Sequence, residues 1–370
     1  MTDALLVLNT GSSSLKFEAQ RYDTFERLAW GQVSGIGTDA RFSARLAGVD
    51  AAIATPLASS DHDAALAAVL DFIDRHDDDW RLRAIAHRVV HGGLKFVDPV
   101  VVTPAVLEEL GKLIPLAPLH QPHNLAGIAA SARLAGHAPD IACFDTAFHA
   151  RHDPLFQRFA VPAELYERGV RRYGFHGLSY EWIARVLRQT RPDLAGARVV
   201  VAHLGNGASL CALKGGESVD TTMGMTALDG LPMGTRSGAI DPGAVTYLLR
   251  ELGWDAARVE RTLYEESGLK GLSGLSNDVR TLVASDTPGA RFALDYFALK
   301  VAQYVATMAV SIGGIDAIVF TGGIGENAAS VREAILARLR FLGDVEALVI
   351  PANEERMMAL HARRLVESLT

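Results

Sequence analysis

The sequence predicts an α/β protein of two domains, on three observations. The chain runs to 370 residues, and chains beyond roughly 250 to 300 residues divide into more than one core. Short β-branched runs are mixed with segments of helical apolar periodicity, the combination that indicates an α/β architecture. One pattern also occurs three times: an apolar run that leads at once into a turn of small, hydrogen-bonding residues. With 49% hydrophobic and 21% charged residues, the composition is that of a packed enzyme and excludes a disordered or fibrous chain.

From the N-terminus, Leu5 to Leu8 reads as the first strand, since it is short, apolar and bounded by the turn Asn9-Thr10-Gly11-Ser12-Ser13-Ser14. Apolar spacing predicts helices over Asp63 to Arg75 and Pro104 to Leu113. The next segment, Ile114-Pro115-Leu116-Ala117-Pro118-Leu119, is too apolar for a flexible linker and reads as an ordered loop. A third helix is expected over Leu178 to Thr190, followed by a strand from Val199 to Leu204 and the turn Gly205-Asn206-Gly207-Ala208-Ser209. Phe297, Val301, Tyr304, Val305, Met308 and Ile312 share one helical face. Ala317 to Thr321 is the third strand and leads into the turn Gly322-Gly323-Ile324-Gly325-Glu326-Asn327, and Glu354 to Ser368 is a final helix. The first two turns open what look like equivalent halves, so an internal duplication is expected. No linker marks a boundary. The break is placed near residue 150, giving an N-terminal domain of 1–150, completed by 350–370, and a C-terminal domain of 151–349.

A net charge of -7 without any block of Lys or Arg excludes a nucleic-acid footprint, which needs a basic stripe. Cys143 and Cys211 lie in apolar surroundings without C-x-x-C spacing, which points to buried free thiols in a reducing compartment. Asp3 and a short first apolar run do not fit a signal peptide. The longest apolar stretch, Tyr304 to Ile315, falls short of the about 20 residues needed to span a bilayer. A cytoplasmic protein without a membrane segment is expected.

Glycines and hydroxyls after a strand suit phosphate, because backbone N–H groups can approach closely and small side chains add donors. Lys16 adds positive charge. A plain hairpin turn has the same composition, and it is the presence of three such turns that favours phosphate. The P-loop, the dinucleotide G-x-G-x-x-G after a strand, H-E-x-x-H and G-x-S-x-G are all absent. A second group of segments sets charged or polar side chains against Gly, Pro or aromatic neighbours: His87-Arg88-Val89-Val90-His91-Gly92-Gly93, Leu116-Ala117-Pro118-Leu119-His120, Phe144-Asp145-Thr146-Ala147-Phe148-His149, Arg172-Tyr173-Gly174-Phe175-His176-Gly177 and Gly234-Thr235-Arg236-Ser237-Gly238. One such arginine or histidine is ordinarily an ion-pair partner or a core residue. Five together with three phosphate-type turns suit charge stabilisation better.

Together these segments, running from Asn9 to Glu355, closely resemble the acetate kinase family within the superfamily of sugar kinases, heat-shock chaperones and actin. The resemblance implies two duplicated ribonuclease-H-like, actin-like ATPase domains, with mixed sheets flanked by helices and a cleft between them. It further implies a homodimer that uses ATP/ADP, Mg²⁺ (with Mn²⁺ as a substitute) and acetate or another short-chain carboxylate. Carried over by position, Asn9 and Glu354 hold the metal, and Ser12, Ser14 and Lys16 contact phosphate. Arg88 binds the substrate carboxylate, Asp145 is the acidic catalytic residue, and His176 and Arg236 stabilise the transition state with His120 nearby. Nucleotide contacts come from His203, Leu204, Gly205, Asn206 and Gly207, from Asp278, Val279 and Arg280, and from Gly323, Ile324, Gly325, Glu326 and Asn327. Val90, Leu119 and Phe175 form the acyl pocket. Ala227 stands in Met225-Thr226-Ala227-Leu228 where the family leads one to expect Pro, which leaves more room. Ala239 replaces a common acidic residue, and the chain is shorter than the family suggests.

The residue types suit that chemistry. A carboxylate is ionised at pH 7, its ordinary pKa being about 4, so the nucleophile needs no general base. The barrier is repulsion between anions, and phosphoryl transfer is catalysed mainly by positioning and charge neutralisation. Asp145 is therefore read as an orienter of metal, water or arginine rather than a base. A propionate or butyrate kinase is the alternative enzyme. A nucleotide-gated binding protein of the same superfamily is the alternative of another class, and it would need a further domain for which the matched segments leave no room.

Overall fold

Strand β1 (Thr2–Thr10) carries a run of buried side chains, Ala4 to Leu8, on both of its faces. Such a strand belongs at the centre of a sheet covered on both sides. The computed structural model describes residues 1–370 apart from Ser12, Ala51, 76–79, Leu119, 135–137 and Thr370. The chain divides into two units, Met1–Ala147 with Asn353–Thr370, and Phe148–Ala352.

In the first unit β1 is followed by β2 (Ser14–Arg21), β3 (Arg27–Ser34), β4 (Arg41–Leu46), β5 (Ile53–Pro56), β6 (Trp80–Val89), β7 (Val100–Val101) and β8 (Asp140–Phe144). They form one sheet in the order β5-β4-β3-β2-β1-β6-β8-β7. The run from β5 to β1 is antiparallel, and β1, β6 and β8 are parallel. Helices α1 (His62–Asp74), α2 (Pro104–Gly111) and α3 (Gln121–Leu134) pack with it. Leu66 and Phe72 of α1 meet Leu6, Leu8, Phe17 and Phe42 of the sheet in one core. The chain returns at its end as the helix Glu354–Leu369, which packs on β1 and β6 with Met357, Met358 and Ala362 buried.

In the second unit β9 (Arg198–Leu204), β10 (Ala208–Lys214), β11 (Glu217–Thr221), β12 (Ala317–Thr321) and β13 (Glu346–Val349) form a sheet in the order β11-β10-β9-β12-β13. β11, β10 and β9 are antiparallel, whereas β9, β12 and β13 are parallel. Helix α4 (Gly177–Thr190) buries Tyr180, Ile183 and Leu187 against Val199, Val201 and Val319. Helix α5 (Pro288–Ile312) buries Phe297, Val301, Val305, Met308 and Ile312, the face read from their spacing.

The two sheets repeat one plan. β3-β2-β1-β6-β8 and β11-β10-β9-β12-β13 are each a three-stranded antiparallel meander extended by two parallel strands. This is the duplicated ribonuclease-H-like α/β class. One element departs from expectation: residues 322–327 form helix α6 (Gly322–Asn327), not a turn. Gly322, at φ 76°, turns the chain off β12, and a β-carbon there would stand 2.8 Å from the Leu204 carbonyl oxygen. Among the described residues no helix is long and apolar enough to cross a membrane. Cys143 and Cys211 are buried and form no disulfide.

Candidate active site

In the first unit the parallel strands β1, β6 and β8 deliver Asn9, Arg88 and Asp145 to their carboxyl ends, where ligands of open α/β sheets bind. Asn9 pairs with Lys16 across the β1–β2 hairpin, which Gly11 N–H closes on the Ser14 carbonyl at 2.8 Å. The turn is therefore a hairpin in form, with exposed Lys16 beside it. His62 Nε2 lies 2.9 Å from the Gly11 carbonyl. Asn124 of α3 joins two strand ends, donating to the Thr10 carbonyl at 2.6 Å and accepting from Val90 N–H at 3.0 Å. Gln121 accepts from His91 N–H at 3.2 Å and donates to the His91 carbonyl at 3.0 Å. His120 immediately precedes α3, while Ser12 and Leu119 lie outside the described residues.

Arg88 is the hub of the charges. Its Nε and Nη2 donate to the two oxygens of Asp145 at 2.9 and 2.7 Å, and Nη1 lies 3.1 Å from Glu354 Oε2. Burial works against its charge, and Asp145 and Glu354 more than offset that, raising its pKa above the usual arginine value. A planar guanidinium has five N–H donors, so one hydrogen on each Nη is left over. Burial pushes the Glu354 carboxyl up, Arg88 opposes the shift, and the Asp145 and Glu355 carboxylates push it further, to about 7. One arginine thus leaves this acidic group with surplus negative charge.

In the second unit the β9–β10 turn is closed by Gly205 N–H on the Gly207 carbonyl at 3.0 Å. Beside it lies a cavity of about 1050 Å³, lined among others by Gly205, Asn206, Asp278, Val279, Arg280, Gly323, Ile324 and Asn327. Val283, Ala284 and Ala328 add an apolar wall that the sequence pattern did not indicate. His203, Leu204, Gly207, Gly325 and Glu326, expected as nucleotide contacts, do not line the cavity. Leu204 is buried in the core. Glu326 turns inward, where Oε1 accepts from Gly322 and Ala352 N–H, both at 2.9 Å. Asp278 and Arg280 pair with each other at 2.6 Å, and Asp278 caps a short helix.

His203 lies against His176. The two imidazoles stack at 4.3 Å and 24°, with His203 Nδ1 2.8 Å from Ser179 Oγ and His176 Nδ1 2.8 Å from Ser209 Oγ. His176 Nε2 lies over Gly207, where a β-carbon would come within 3.3 Å. Arg236 Nη1 donates to the Ala227 carbonyl at 3.1 Å, and its guanidinium lies 6.0 Å from the Tyr264 ring centre. Asn206 ties these parts together, since its carbonyl accepts from Gly234 N–H at 3.0 Å and its side-chain oxygen from Asn277 at 3.0 Å. Phe175 is buried, and Val90 and Ala227 are half-buried.

Asn124, Gln121, Ser209 and Ser179 were not evident from sequence. A signal for the first two was present, since Gln121 and Asn124, just after His120, stand three residues apart, the spacing that shares a helix face.

The chain has close relatives among known proteins. The acetokinase family matches residues 4–357. An acetate kinase of Rhodopseudomonas palustris is 46% identical, with 99% of each chain covered. One from Deinococcus radiodurans is 44% identical, over 96% of each chain. Among solved structures, a propionate kinase from Francisella tularensis superposes with a TM-score of 0.92 at 36% identity, covering 97% of this chain and 98% of that one. The acetate kinase of Porphyromonas gingivalis superposes with a TM-score of 0.88 at 33% identity, covering 98% of this chain and 100% of its own. The chain belongs to the acetokinase family.

Proposed function

We propose that the protein transfers the γ-phosphoryl group of ATP to the carboxylate of acetate, reversibly and in line, giving acetyl phosphate and ADP. The observation that carries this reading is Arg88: three hydrogen-bonded or ion-paired contacts fix its plane, and one N–H on each Nη stays available for a carboxylate. An acetate oxygen attacks phosphorus as the bond to the ADP oxygen breaks. The attacking group is already an anion, so no proton is removed. Asp145 orients Arg88 and takes no proton. The second unit contributes the nucleotide cavity, His176 and Arg236, whose donors meet charge on the transferring group, and Lys16 of the first unit adds another cation.

The residues present fit Mg²⁺, or Mn²⁺ in its place. Asn9, Glu354 and the neighbouring Asp145 offer only hard oxygen ligands, and a divalent cation would stabilise the Glu354 carboxylate, which burial first and then the Asp145 and Glu355 carboxylates push up. Asn9 and Glu354 would hold it, and once bound it would neutralise phosphate oxygens. A hydroxamate assay with ATP, Mg²⁺ and acetate is expected to give acyl phosphate. Absence of product with active nucleotide binding would overturn the reading.

Position 227 favours a second substrate. The Ala227 carbonyl is committed to Arg236, which fixes the backbone and leaves side-chain volume as the variable. Propionate is then accepted well, because one buried methylene contributes only about 1 kcal/mol. Comparing kcat/KM for acetate, propionate and butyrate in wild type and Ala227→Pro tests this, and an unchanged ratio sinks it. The same reading makes the protein a cytoplasmic homodimer. The helix Pro242–Arg250 supports the assembly, since it buries none of its residues in the monomer and exposes Tyr247 and Leu249.

A further inference from the structure

His149 ends the segment that also carries Asp145, yet the mechanism above makes no use of it. Its imidazole is 2% exposed, with Nε2 3.0 Å from the Phe175 carbonyl and Nδ1 2.8 Å from Ser218 Oγ. A carbonyl only accepts, so Nε2 carries the hydrogen and Nδ1 accepts from the Ser218 hydroxyl. Ser218 has then given its one hydrogen, and its oxygen accepts from His152 Nε2 at 2.6 Å, with Cys211 Sγ 3.2 Å away. Burial lowers His152 to about 3, so it is neutral, and its Nε2 hydrogen is the donor to the Ser218 oxygen. The Phe175 carbonyl, Ser218 and His152 therefore fix the tautomer of the neutral His149 ring.

That tautomer acts on the two residues before His176. Gly174 has φ 76°, and a β-carbon there would stand 2.7 Å from His149 Cδ2 and 2.5 Å from Thr221 Cγ2. Phe175 is held through its carbonyl. His176 itself has φ 58°, and among the described residues only it and Phe25 are non-glycine residues with positive φ. A left-handed backbone at such a residue persists only where its surroundings over-determine it.

We propose that His149 is a positioning residue for phosphoryl transfer: its Nε2–H grips the Phe175 carbonyl and keeps His176 in the left-handed conformation that places Nε2 over Gly207. This rests on the reading of His176 as a transition-state group. The test measures kcat and KM for acetate and ATP in His149→Phe, His149→Gln and Ser218→Ala, each alone and combined with His176→Ala. His149→Phe is expected to lower kcat roughly 10- to 100-fold with both KM values within about twofold, since a small misplacement of a catalytic group acts on the chemical step. His149→Gln, whose amide N–H replaces Nε2–H, should recover most of the loss. In the His176→Ala background His149→Phe should have no further effect.

Wild-type kcat in His149→Phe, no recovery in His149→Gln, or the same additional loss without the His176 side chain would each overturn the proposal. Should His149→Phe not fold, Ser218→Ala removes the tautomer lock while the His149 imidazole stays in place. It is expected to lower kcat roughly 3- to 10-fold, and only when His176 is present; no change there overturns the proposal equally. Full activity in His176→Ala would refute the role of His176 itself. An inactive His176→Ala beside fully active His149 variants would refute the positioning alone.

Discussion

Arg88 and Arg236 are placed by different means, and their loss should appear in different kinetic constants. Arg88 is clamped by two carboxylates and presents spare N–H groups, so Arg88→Ala should raise KM for acetate most, at least about tenfold, as a charge-assisted bidentate contact is lost. Arg236 is tethered through a carbonyl, and Arg236→Ala should lower kcat by about 100-fold or more with KM little changed. Steady-state kinetics with both substrates varied would check the split, and wild-type constants in both variants would refute these roles. Burial lowers His91 to about 4. Below its ordinary value near 6.5 the unfolded chain gains a proton that the native chain refuses, so stability is present above pH 6.5 and is lost as pH falls through about 4. His91→Gln should flatten the stability–pH slope over that window by about 1.4 kcal/mol per pH unit, measured by denaturant titration. An unaltered slope would count against it. Arg88, Asp145 and His176 could be picked out as candidates because charged and polar residues among glycines and aromatics stand out locally. Asn124 and Ser218 could not, since their partners Val90 and His149 lie 34 and 69 residues away and meet them only through the fold.

The strands read from sequence, at 5–8, 199–204 and 317–321, are the central β1, β9 and β12, whose two covered faces make them continuously apolar. The outer strands β3, β4 and β5 alternate or are wholly exposed, and so lack that signal. Residues 322–327 read as a turn because glycine is frequent there. They are helical because the Glu326 carboxylate accepts the Gly322 N–H at the helix start, a contact that composition does not reveal. Helix α3 makes the opposite point. Gly127 lies inside it, where helix propensity alone favours alanine by about 1 kcal/mol. A β-carbon at Gly127 would stand 2.7 Å from Thr10 Oγ1 and 3.3 Å from Thr10 Cβ, and overpacking of that kind costs about 1 to 3 kcal/mol. Gly127→Ala is therefore expected to be net destabilising by about 1 kcal/mol and to raise KM for ATP by shifting the Asn9–Lys16 hairpin. Adding Thr10→Ala should restore both. A more stable Gly127→Ala protein with normal KM would show that the helix has slack.

The first unit is discontinuous in sequence, since Asn353–Thr370 belongs to it although the whole second unit intervenes. The returning helix does more than fill space. Its first residue, Glu354, meets Arg88, and Arg356 and Arg363 lie 4.5 and 4.3 Å from the centre of the Phe25 ring. Met358, fully buried, packs in the same helix. Met358→Asp would leave an uncompensated charge in that core, a loss of about 3 to 5 kcal/mol. The loss should be local to one unit, because stability in such a chain is held in separate cooperative cores. Hydrogen exchange should show lost protection over β1, β6 and the helix 354–369, with β9, β12 and α5 keeping theirs. ADP should still bind, since the described lining of the nucleotide cavity lies wholly in Phe148–Ala352, while acetyl phosphate formation should fall with the disordering of Arg88. Protection lost equally in β9 and α5 would mean instead that the chain unfolds as one body, and that the terminal helix supports both sheets.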